Sequence, residues 1–374
     1  MLKQYKLKNY HIQLILYVCA LTVIGIFVIG SARADLQPKQ ILGFAVGIVI
    51  MLVVSLMDYS FLLKFPWLYY ALMIGLLLMV ELFGKNVNGA QRWLEIGEDS
   101  GITIQPSEFA KLAMVAFFAY FLSKYQETLN TTKTLLISFV FAGIPLFFIL
   151  KQPDLSTTIV TTVIFAALLF IAGLSYKIVV TVLSIAVPAI VVLLTYAIQL
   201  AKSTDADYPY QLDRIMAWLY PKDSRWASKA LQQQNSIMAI GSGQLWGKGL
   251  NNSEATSMLN TNYILEPQTD FIFAVIGEEL GFVGCTIVVV LLFLTVVECV
   301  YIGSRAKDLQ GRLICCGMAT WIGFQSFVNI GVNTGLLPNT GVPLPFVSYG
   351  LSSVIAIYIG MGFVLNVGLQ PKKY

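Results

Sequence analysis

Charge and histidine are scarce in this chain of 374 residues. Only 12% of the residues are Asp, Glu, Lys or Arg, against about 25% in ordinary soluble domains, and the one histidine is His11. A zinc site built on imidazole and a Ser-His catalytic pair are therefore excluded at any site remote from His11. The five cysteines lie in apolar segments without a C-x-x-C pair, so they indicate neither a disulfide framework nor a thiolate metal site.

Long uncharged stretches occupy much of the chain instead, for example 12–32, 40–57, 155–176 and 313–370. Hydrophobic residues make up 57% of the sequence, and about 20 apolar residues suffice to cross a bilayer core. The sequence therefore predicts an all-α polytopic membrane protein with ten transmembrane helices. The predicted spans are 12–30, 40–57, 66–82, 107–123, 135–150, 156–174, 178–199, 270–300, 312–335 and 347–369.

The distribution of Lys and Arg predicts the orientation of these spans. With the N-terminus in the cytoplasm, the inner loops carry more Lys and Arg than the short outer loops, as the positive-inside rule requires. Both termini are then cytoplasmic, and the net charge of +4 reflects orientation rather than nucleic-acid binding. The external loops are about 83–106 and 200–269, the second between helices 7 and 8, within a single membrane domain over 1–374. Aromatic and basic residues in the second loop predict helices that lie on the bilayer surface.

Carboxylates recur where predicted helices begin on the external side. Glu108 follows a proline in "QPSEFAK", Asp154 in "QPDLS" and Asp270 in "EPQTDF". Complementation of a helix dipole explains one such acid, at a few tenths of a kcal/mol. Three on one side, with Lys111 one turn from Glu108, favour a shared site.

Two further acids, Glu278 and Glu279, lie deeper in the segment that follows Asp270. Each costs about 2.5–3.5 kcal/mol at the bilayer centre if unpaired, which predicts a polar pocket that opens outward. The glycine-rich "GSGQLWGKGL" has the wrong spacing for a phosphate loop and Gly249 where Ser or Thr is required, so ATP hydrolysis is unsupported.

Seven motifs resemble those of the SEDS family (shape, elongation, division and sporulation), which includes RodA, FtsW and SpoVE. From about residue 85 to the C-terminus they follow in the expected order: "NGAQRWLEIG", "QPSEFAK", "KQPDLSTT", "YQLDRI", "IAIGSGQLWGKG", "TDFIFAVIGEELGFVG" and "NTGVPLPFVSYGLSS". The resemblance implies a ten-helix fold in the bacterial cytoplasmic membrane. It also implies polymerisation of lipid II into glycan strands outside that membrane, with a class B penicillin-binding protein as partner.

The resemblance also implies roles for individual residues. Asp270 matches the aspartate that is proposed to be catalytic. Substrate-binding roles are expected for Arg92, Trp93, Glu108, Lys111, Asp154, Glu278 and Ser348. Gln268 replaces a common histidine and Leu351 interrupts the usual "SYGGSS", which weakens any role assigned to these two positions.

Several alternatives remain open. A flippase that transports lipid II would favour a site at the bilayer midplane within inverted repeats, whereas most polar groups here lie near the external mouth. A scaffold that recruits wall enzymes would need no acids in its helices. Because three carboxylates would repel a pyrophosphate, a divalent cation (Mg²⁺ or Mn²⁺) is also expected. Whether the chain serves elongation, division or sporulation is left open.

Overall fold

The computed structural model describes residues 9–87, 90–96, 102–203, 210–252, 258 and 264–370. Thirteen helices are found within these ranges. They are α1 (Ile12–Ala32), α2 (Gln37–Leu56), α3 (Tyr59–Leu62), α4 (Pro66–Phe83), α5 (Pro106–Lys124), α6 (Thr132–Lys151), α7 (Leu155–Ile171), α8 (Tyr176–Ser203), α9 (Tyr210–Leu219), α10 (Ala227–Ser242), α11 (Ile272–Ser304), α12 (Leu309–Asn333) and α13 (Leu351–Leu369).

Eight helices in the described residues are long and apolar enough to cross a membrane: α1, α2, α4, α6, α8, α11, α12 and α13. The prediction of an all-helical polytopic membrane protein is therefore confirmed. The predicted count of ten is not. Of the other two predicted spans, α7 is an apolar helix of 17 residues and α5 contains a buried ion pair.

The core of the protein forms around α12, which packs against α5, α7, α11 and α13. Trp321 on α12 and Tyr358 on α13 are fully buried, as are Phe117 and Phe118 on α5. The helix α8 differs from these, because no residue of Tyr176–Leu200 is buried. Polar side chains on the central helices are therefore surrounded by protein, whereas α8 depends on lipid to cover its apolar surface.

A small antiparallel sheet occupies part of the predicted external loop 83–106. Its strands are β1 (Lys85–Val87), β2 (Ala90–Ile96) and β3 (Ile102–Ile104), in the order β1-β2-β3. The register pairs Lys85 with Trp93 and Leu94 with Ile104. From the sequence, only a loop is predicted here. The sheet fixes where Arg92 and Trp93 lie on β2, and β3 leads into α5.

The predicted loop 200–269 contains α9 and α10. The helix α10 packs against α11 and α12, and Gln233, Asn235 and Ser236 are buried. Gln233 donates to the carbonyl oxygen of Val332 over 2.8 Å. The predicted helices are therefore present, but α10 packs on the protein through a polar face.

A break in α11 explains the glycine-rich motif that precedes it. Gly281 has φ 65° and ψ −163°, and the backbone of the 243–249 turn packs into the gap. Lys248 N donates to Glu278 O over 2.9 Å, and Phe282 N to Gln244 O over 2.8 Å. A Cβ on Gly247 would lie 2.1 Å from Glu279 O. The glycines thus permit two backbones to meet, and these hydrogen bonds satisfy polar groups that the helix break exposes.

Candidate functional site

The predicted site residues gather at a cavity of about 430 Å³. The cavity is enclosed by six parts of the chain: β2, the starts of α5 and α7, the helix α9, and the segments that precede α11 and α13. Five of the eight predicted residues line it: Arg92, Trp93, Glu108, Asp154 and Asp270. The sequence did not identify its other lining residues: Thr103, Gln105, Thr157, Arg214, Glu266, Thr269, Gly341, Pro343, Tyr349, Gly350, Ser352 and Ser353.

Asp270 lies two residues before α11, in a segment that is docked onto the 344–349 segment. Ser348 Oγ donates to Thr269 O over 2.6 Å, and Tyr349 N donates to Gln268 O over 2.8 Å. The carbonyl oxygen of Asp270 itself accepts hydrogen bonds from α12, as described below. The backbone of this acid is therefore fixed on both sides, while its side chain keeps part of its surface open to the cavity.

Burial raises the pKa of Asp270 to about 6. The positive charge of Arg214 opposes this shift, followed by smaller effects of Glu266 and Asp154, which raise the pKa, and of Arg92, which lowers it. Desolvation disfavours the charged carboxylate and outweighs the two cations. A carboxylate with a pKa near 6 is ionised at neutral pH and is a stronger base than an ordinary aspartate.

Arg214 on α9 is the main functional candidate that the sequence analysis missed. Its Nη1 donates to Asn339 O over 3.3 Å. A Cβ placed on Gly341 would lie 3.4 Å from this Nη1 and 3.2 Å from Oδ2 of Asp270, so the two side chains flank the same point. The sequence does contain a signal for this residue, because Arg214 is the arginine of "YQLDRI", one of the seven motifs.

Arg92 and Asp154 meet at the start of α7. Arg92 Nε donates to Gln152 O over 3.1 Å, and its Nη2 donates to Pro153 O. Asp154 caps α7 by accepting from Thr157 N over 3.1 Å and from Thr157 Oγ1 over 3.0 Å. The helix-start interpretation of Asp154 is therefore correct, and the same carboxylate also lines the cavity.

Glu108 and Lys111 form a buried pair under the cavity. Lys111 Nζ donates to Glu108 Oε1 over 2.7 Å and to Gln325 Oε1 over 2.8 Å, and lies 4.8 Å from the centre of the Trp321 ring. Glu108 reaches the cavity, whereas Lys111 is enclosed by protein. The predicted charged cluster therefore contains this pair, and Lys111 is connected to the cavity through Glu108 without lining it.

Glu278 and Ser348 are not among the lining residues of this cavity. Glu278 accepts from Lys248 Nζ over 2.8 Å and from Met258 N over 2.9 Å. Ser348 accepts from Leu344 N over 2.7 Å and donates to Thr269. Both side chains hold neighbouring segments together, and their predicted contact with substrate stays a prediction.

The described residues contain no group of three or more His, Cys, Asp or Glu side chains that could hold a metal ion. A site made of protein ligands alone is therefore not formed within them. The cavity is lined by four carboxylates, those of Glu108, Asp154, Glu266 and Asp270, beside the two arginines Arg92 and Arg214.

Comparison with known proteins assigns this arrangement to a family. Residues 7–373 match the model described as "Cell cycle protein", for FtsW, RodA and SpoVE. The chain is 31% identical to a probable peptidoglycan glycosyltransferase FtsW of Trichlorobacter lovleyi, over 99% of this chain and 96% of the relative. It is 37% identical to the FtsW of Haemophilus influenzae that bears the same name, over 80% and 72%.

Two solved structures share the fold. One belongs to a study of how a peptidoglycan synthase complex coordinates polymerisation and crosslinking; its TM-score is 0.77 at 25% identity, over 96% of this chain and 97% of that one. The other is the rod shape determining protein RodA of Thermus thermophilus, with a TM-score of 0.69 at 24% identity over 98% of both chains.

Proposed function

This chain belongs to the cell cycle protein family of FtsW, RodA and SpoVE, and we propose that it is a peptidoglycan glycosyltransferase that polymerises lipid II into glycan strands. The observation that carries the proposal is one cavity that gathers Asp270, Arg92 and Arg214. Transfer of a sugar from a pyrophosphate carrier needs a base and positive charge, and it needs no nucleotide.

Asp270 acts as the general base. It accepts the proton of the acceptor hydroxyl while that oxygen attacks the anomeric carbon of the donor disaccharide. The bond between this carbon and the pyrophosphate oxygen breaks, and undecaprenyl pyrophosphate leaves with the bonding electrons. The raised pKa of Asp270 supports this role, because a general base is most effective when its pKa is close to the working pH.

Arg92 and Arg214 hold the pyrophosphate. Guanidinium groups bind phosphate oxygens through paired hydrogen bonds, and both arginines line the cavity that contains Asp270. The positive charge that stabilises the leaving group is therefore close to the base without neutralising it.

A divalent cation is also part of the proposal. Mg²⁺ is commonly bound through one or two carboxylates together with substrate phosphates, and Asp154 offers one such carboxylate in the cavity. The donor set thus fits Mg²⁺ or Mn²⁺ shared with the pyrophosphate better than a site made of protein alone. When bound, the ion would offset negative charge on the leaving group.

The cavity opens on the outer face of the bacterial cytoplasmic membrane, with both termini in the cytoplasm. The positive-inside pattern of Lys and Arg supports this orientation. Lipid II and the nascent glycan strand would both reach the cavity from this side.

A class B penicillin-binding protein is the proposed partner, and an apolar groove between α11 and α12 is where its membrane helix docks. The groove has a volume of about 410 Å³. Val289, Phe293 and Val296 line it on α11, and Gly323 and Phe327 on α12. Small residues let membrane helices approach closely, and the relative seen in a peptidoglycan synthase complex supports a stable partner.

The test is strand formation by the purified protein with lipid II in detergent, alone and with its partner. Flipping cannot be measured without a bilayer, so glycan strands in this assay support the polymerase. Asp270→Asn should lower the rate by at least about 10²-fold, and EDTA should lower it reversibly if the shared cation is needed. Lack of product from the wild type under all conditions, with lipid II transport in vesicles, would favour the flippase instead.

A further inference from the structure

A stripe of three amide side chains runs along one face of α12. Gln325, Asn329 and Asn333 are spaced four residues apart, and none of them is exposed, although α12 is apolar enough to cross a membrane. A buried amide is costly unless it is hydrogen-bonded. All three donate to backbone carbonyl groups of segments that line the cavity.

Asn329 and Asn333 both donate to the carbonyl oxygen of Asp270, each with an Nδ2–O distance of 2.9 Å. The second hydrogen of Asn329 Nδ2 is donated to Val342 O over 2.7 Å, and that of Asn333 Nδ2 to Asn329 O over 2.9 Å. An amide NH₂ has two donors, so each group is fully used. Neither amide has a hydrogen to spare for substrate.

The amide oxygen of Asn333 is fixed as well. Asn333 Oδ1 accepts from Ala274 N over 3.1 Å and from Ser236 Oγ over 3.3 Å. Gln325, one turn away from Asn329, donates to Pro343 O over 2.8 Å. The stripe thereby connects the first turn of α11 and the helix α10 to the 342–343 segment.

We propose that Asn329 and Asn333 are positioning residues for glycosyl transfer, which set the place of Asp270 relative to the 341–343 segment. Asn329 is the critical one, because its single Nδ2 binds the carbonyl oxygens of both Asp270 and Val342. Gly341 precedes Val342, and its Cα hydrogen points toward the carboxylate of Asp270 and the guanidinium of Arg214. Loss of this amide would let the base move away from the arginine without removing either group.

This inference rests on the proposed function and adds residues that determine the rate of glycosyl transfer. A base that is displaced by about 1 Å from its productive place can lose about 10²-fold in rate. Binding of the pyrophosphate depends on Arg92 and Arg214, which neither asparagine contacts through the hydrogen bonds described above. The expected defect therefore appears in kcat and leaves KM nearly unchanged.

The test compares Asn329→Leu and Asn329→Asp with Asn366→Leu. Asn366 on α13 is equally buried and also bridges two segments, since it donates to Ser55 O over 2.7 Å and accepts from Tyr59 N over 2.9 Å. Polymerisation of lipid II is measured together with thermal stability in detergent. Both Asn329 variants should lose about tenfold or more in kcat with KM within about threefold, whereas Asn366→Leu should lose stability alone.

The pH profile of the variant Asn329→Asp is a further measurement, and a purely structural role of Asn329 would leave this profile unchanged. A carboxyl group donates a hydrogen bond only while it is protonated. Its activity should therefore decline as pH rises, over a range where the wild type keeps its plateau. Equal kcat losses in Asn329→Leu and Asn366→Leu, or an unaltered pH profile in Asn329→Asp, would overturn the inference.

Hydrogen exchange of the 264–274 segment separates this inference from the proposed function. Exchange there should increase in Asn329→Leu and stay unchanged in Asn366→Leu, whether or not the protein polymerises lipid II. Unchanged exchange in both variants would defeat the positioning role even if the wild type is an active polymerase. Increased exchange in a protein without polymerase activity would support the role of Asn329 in holding the Asp270 segment and refute only the activity.

Discussion

Lys111 Nζ lies 2.7 Å from Oε1 of Glu108, one helical turn away on α5, and the two side chains are only 1% and 2% exposed. The same ammonium group contacts Gln325 and the face of Trp321 on α12. Because Gln325 also holds Pro343, this ion pair connects α5 to the segment that borders the cavity. Its influence should therefore reach both stability and activity.

Replacing Lys111 should leave the Glu108 carboxylate buried without its partner. Loss of one member of a buried pair costs about 3–5 kcal/mol, so Lys111→Ala should lower the melting temperature in detergent far more than Lys124→Ala, at the exposed end of α5. The double variant Lys111→Met with Glu108→Gln removes both charges and should recover part of the loss. Small and equal shifts for Lys111→Ala and Lys124→Ala would contradict a buried pair.

Polymerisation should depend on the protonation of Asp270. Its pKa of about 6 lies above the usual aspartate value, so the carboxylate becomes protonated, and unable to act as a base, as pH falls through 6. The rate should be constant above about pH 7 and should fall about tenfold for each unit well below 6. Initial rates between pH 4.5 and 8 provide the check. A rate that is still constant at pH 5 would show that polymerisation does not depend on a base with a pKa near 6.

Gly341 should tolerate no side chain. Its φ of +74° disfavours any L-residue, and a Cβ would lie 3.2 Å from Oδ2 of Asp270. Gly341→Ala should therefore lower kcat/KM by about tenfold or more, because the close contacts of the added Cβ are relieved by displacing the base or Arg214. Gly173→Ala is the matched control, because Gly173 has φ +104° with no neighbour within 4 Å of the added Cβ. It should share the strain and keep its kcat/KM, and similar activity losses in both variants would rule out a specific effect on the site.

The groove between α11 and α12 should bind the partner's membrane helix. At Gly323 an added Cβ would make only ordinary contact with Val296, at 3.5 Å, so Gly323→Ala should be tolerated. Gly323→Phe should fill the groove and abolish co-purification of the class B penicillin-binding protein, while polymerisation by the isolated protein persists. Undiminished co-purification of Gly323→Phe would place the partner on another surface.

The orientation can be tested with single cysteines in a protein whose five natural cysteines are replaced by Ala. Ser224, between α9 and α10, and Ser304, at the end of α11, are both exposed. A membrane-impermeant maleimide that is added to intact cells should label Ser224→Cys and spare Ser304→Cys. The reverse pattern would place the cavity in the cytoplasm and exclude glycan synthesis outside the membrane.

The sequence predicted the gathering of Glu108, Asp154 and Asp270, because each carboxylate lies in a proline-containing motif where a helix begins. It missed the stripe of Gln325, Asn329 and Asn333, although their four-residue spacing in an uncharged stretch was visible. The pattern of charged residues does not reveal this stripe, although a buried amide can position a catalytic group as well as an ion pair can.

Other features could not be predicted from local sequence. The break at Gly281 depends on the 243–249 turn, whose backbone enters the gap, and neither segment specifies this packing by itself. Glu278 looked like a cavity acid because its position on α11 is eight residues after Asp270. Its carboxylate contacts Lys248 instead, because the 243–249 turn packs against the break in α11 and supplies this partner.

The helix α8 contains 28 residues and is therefore about 42 Å long, whereas a bilayer core is about 30 Å thick. Since no residue of Tyr176–Leu200 is buried, other helices offer little resistance to its tilt, and the thickness of the surrounding lipid determines it. The helix that follows carries Arg214. The thickness of the surrounding lipid is thus expected to affect the helix that precedes Arg214 in the chain, and activity in synthetic bilayers of graded thickness measures this effect.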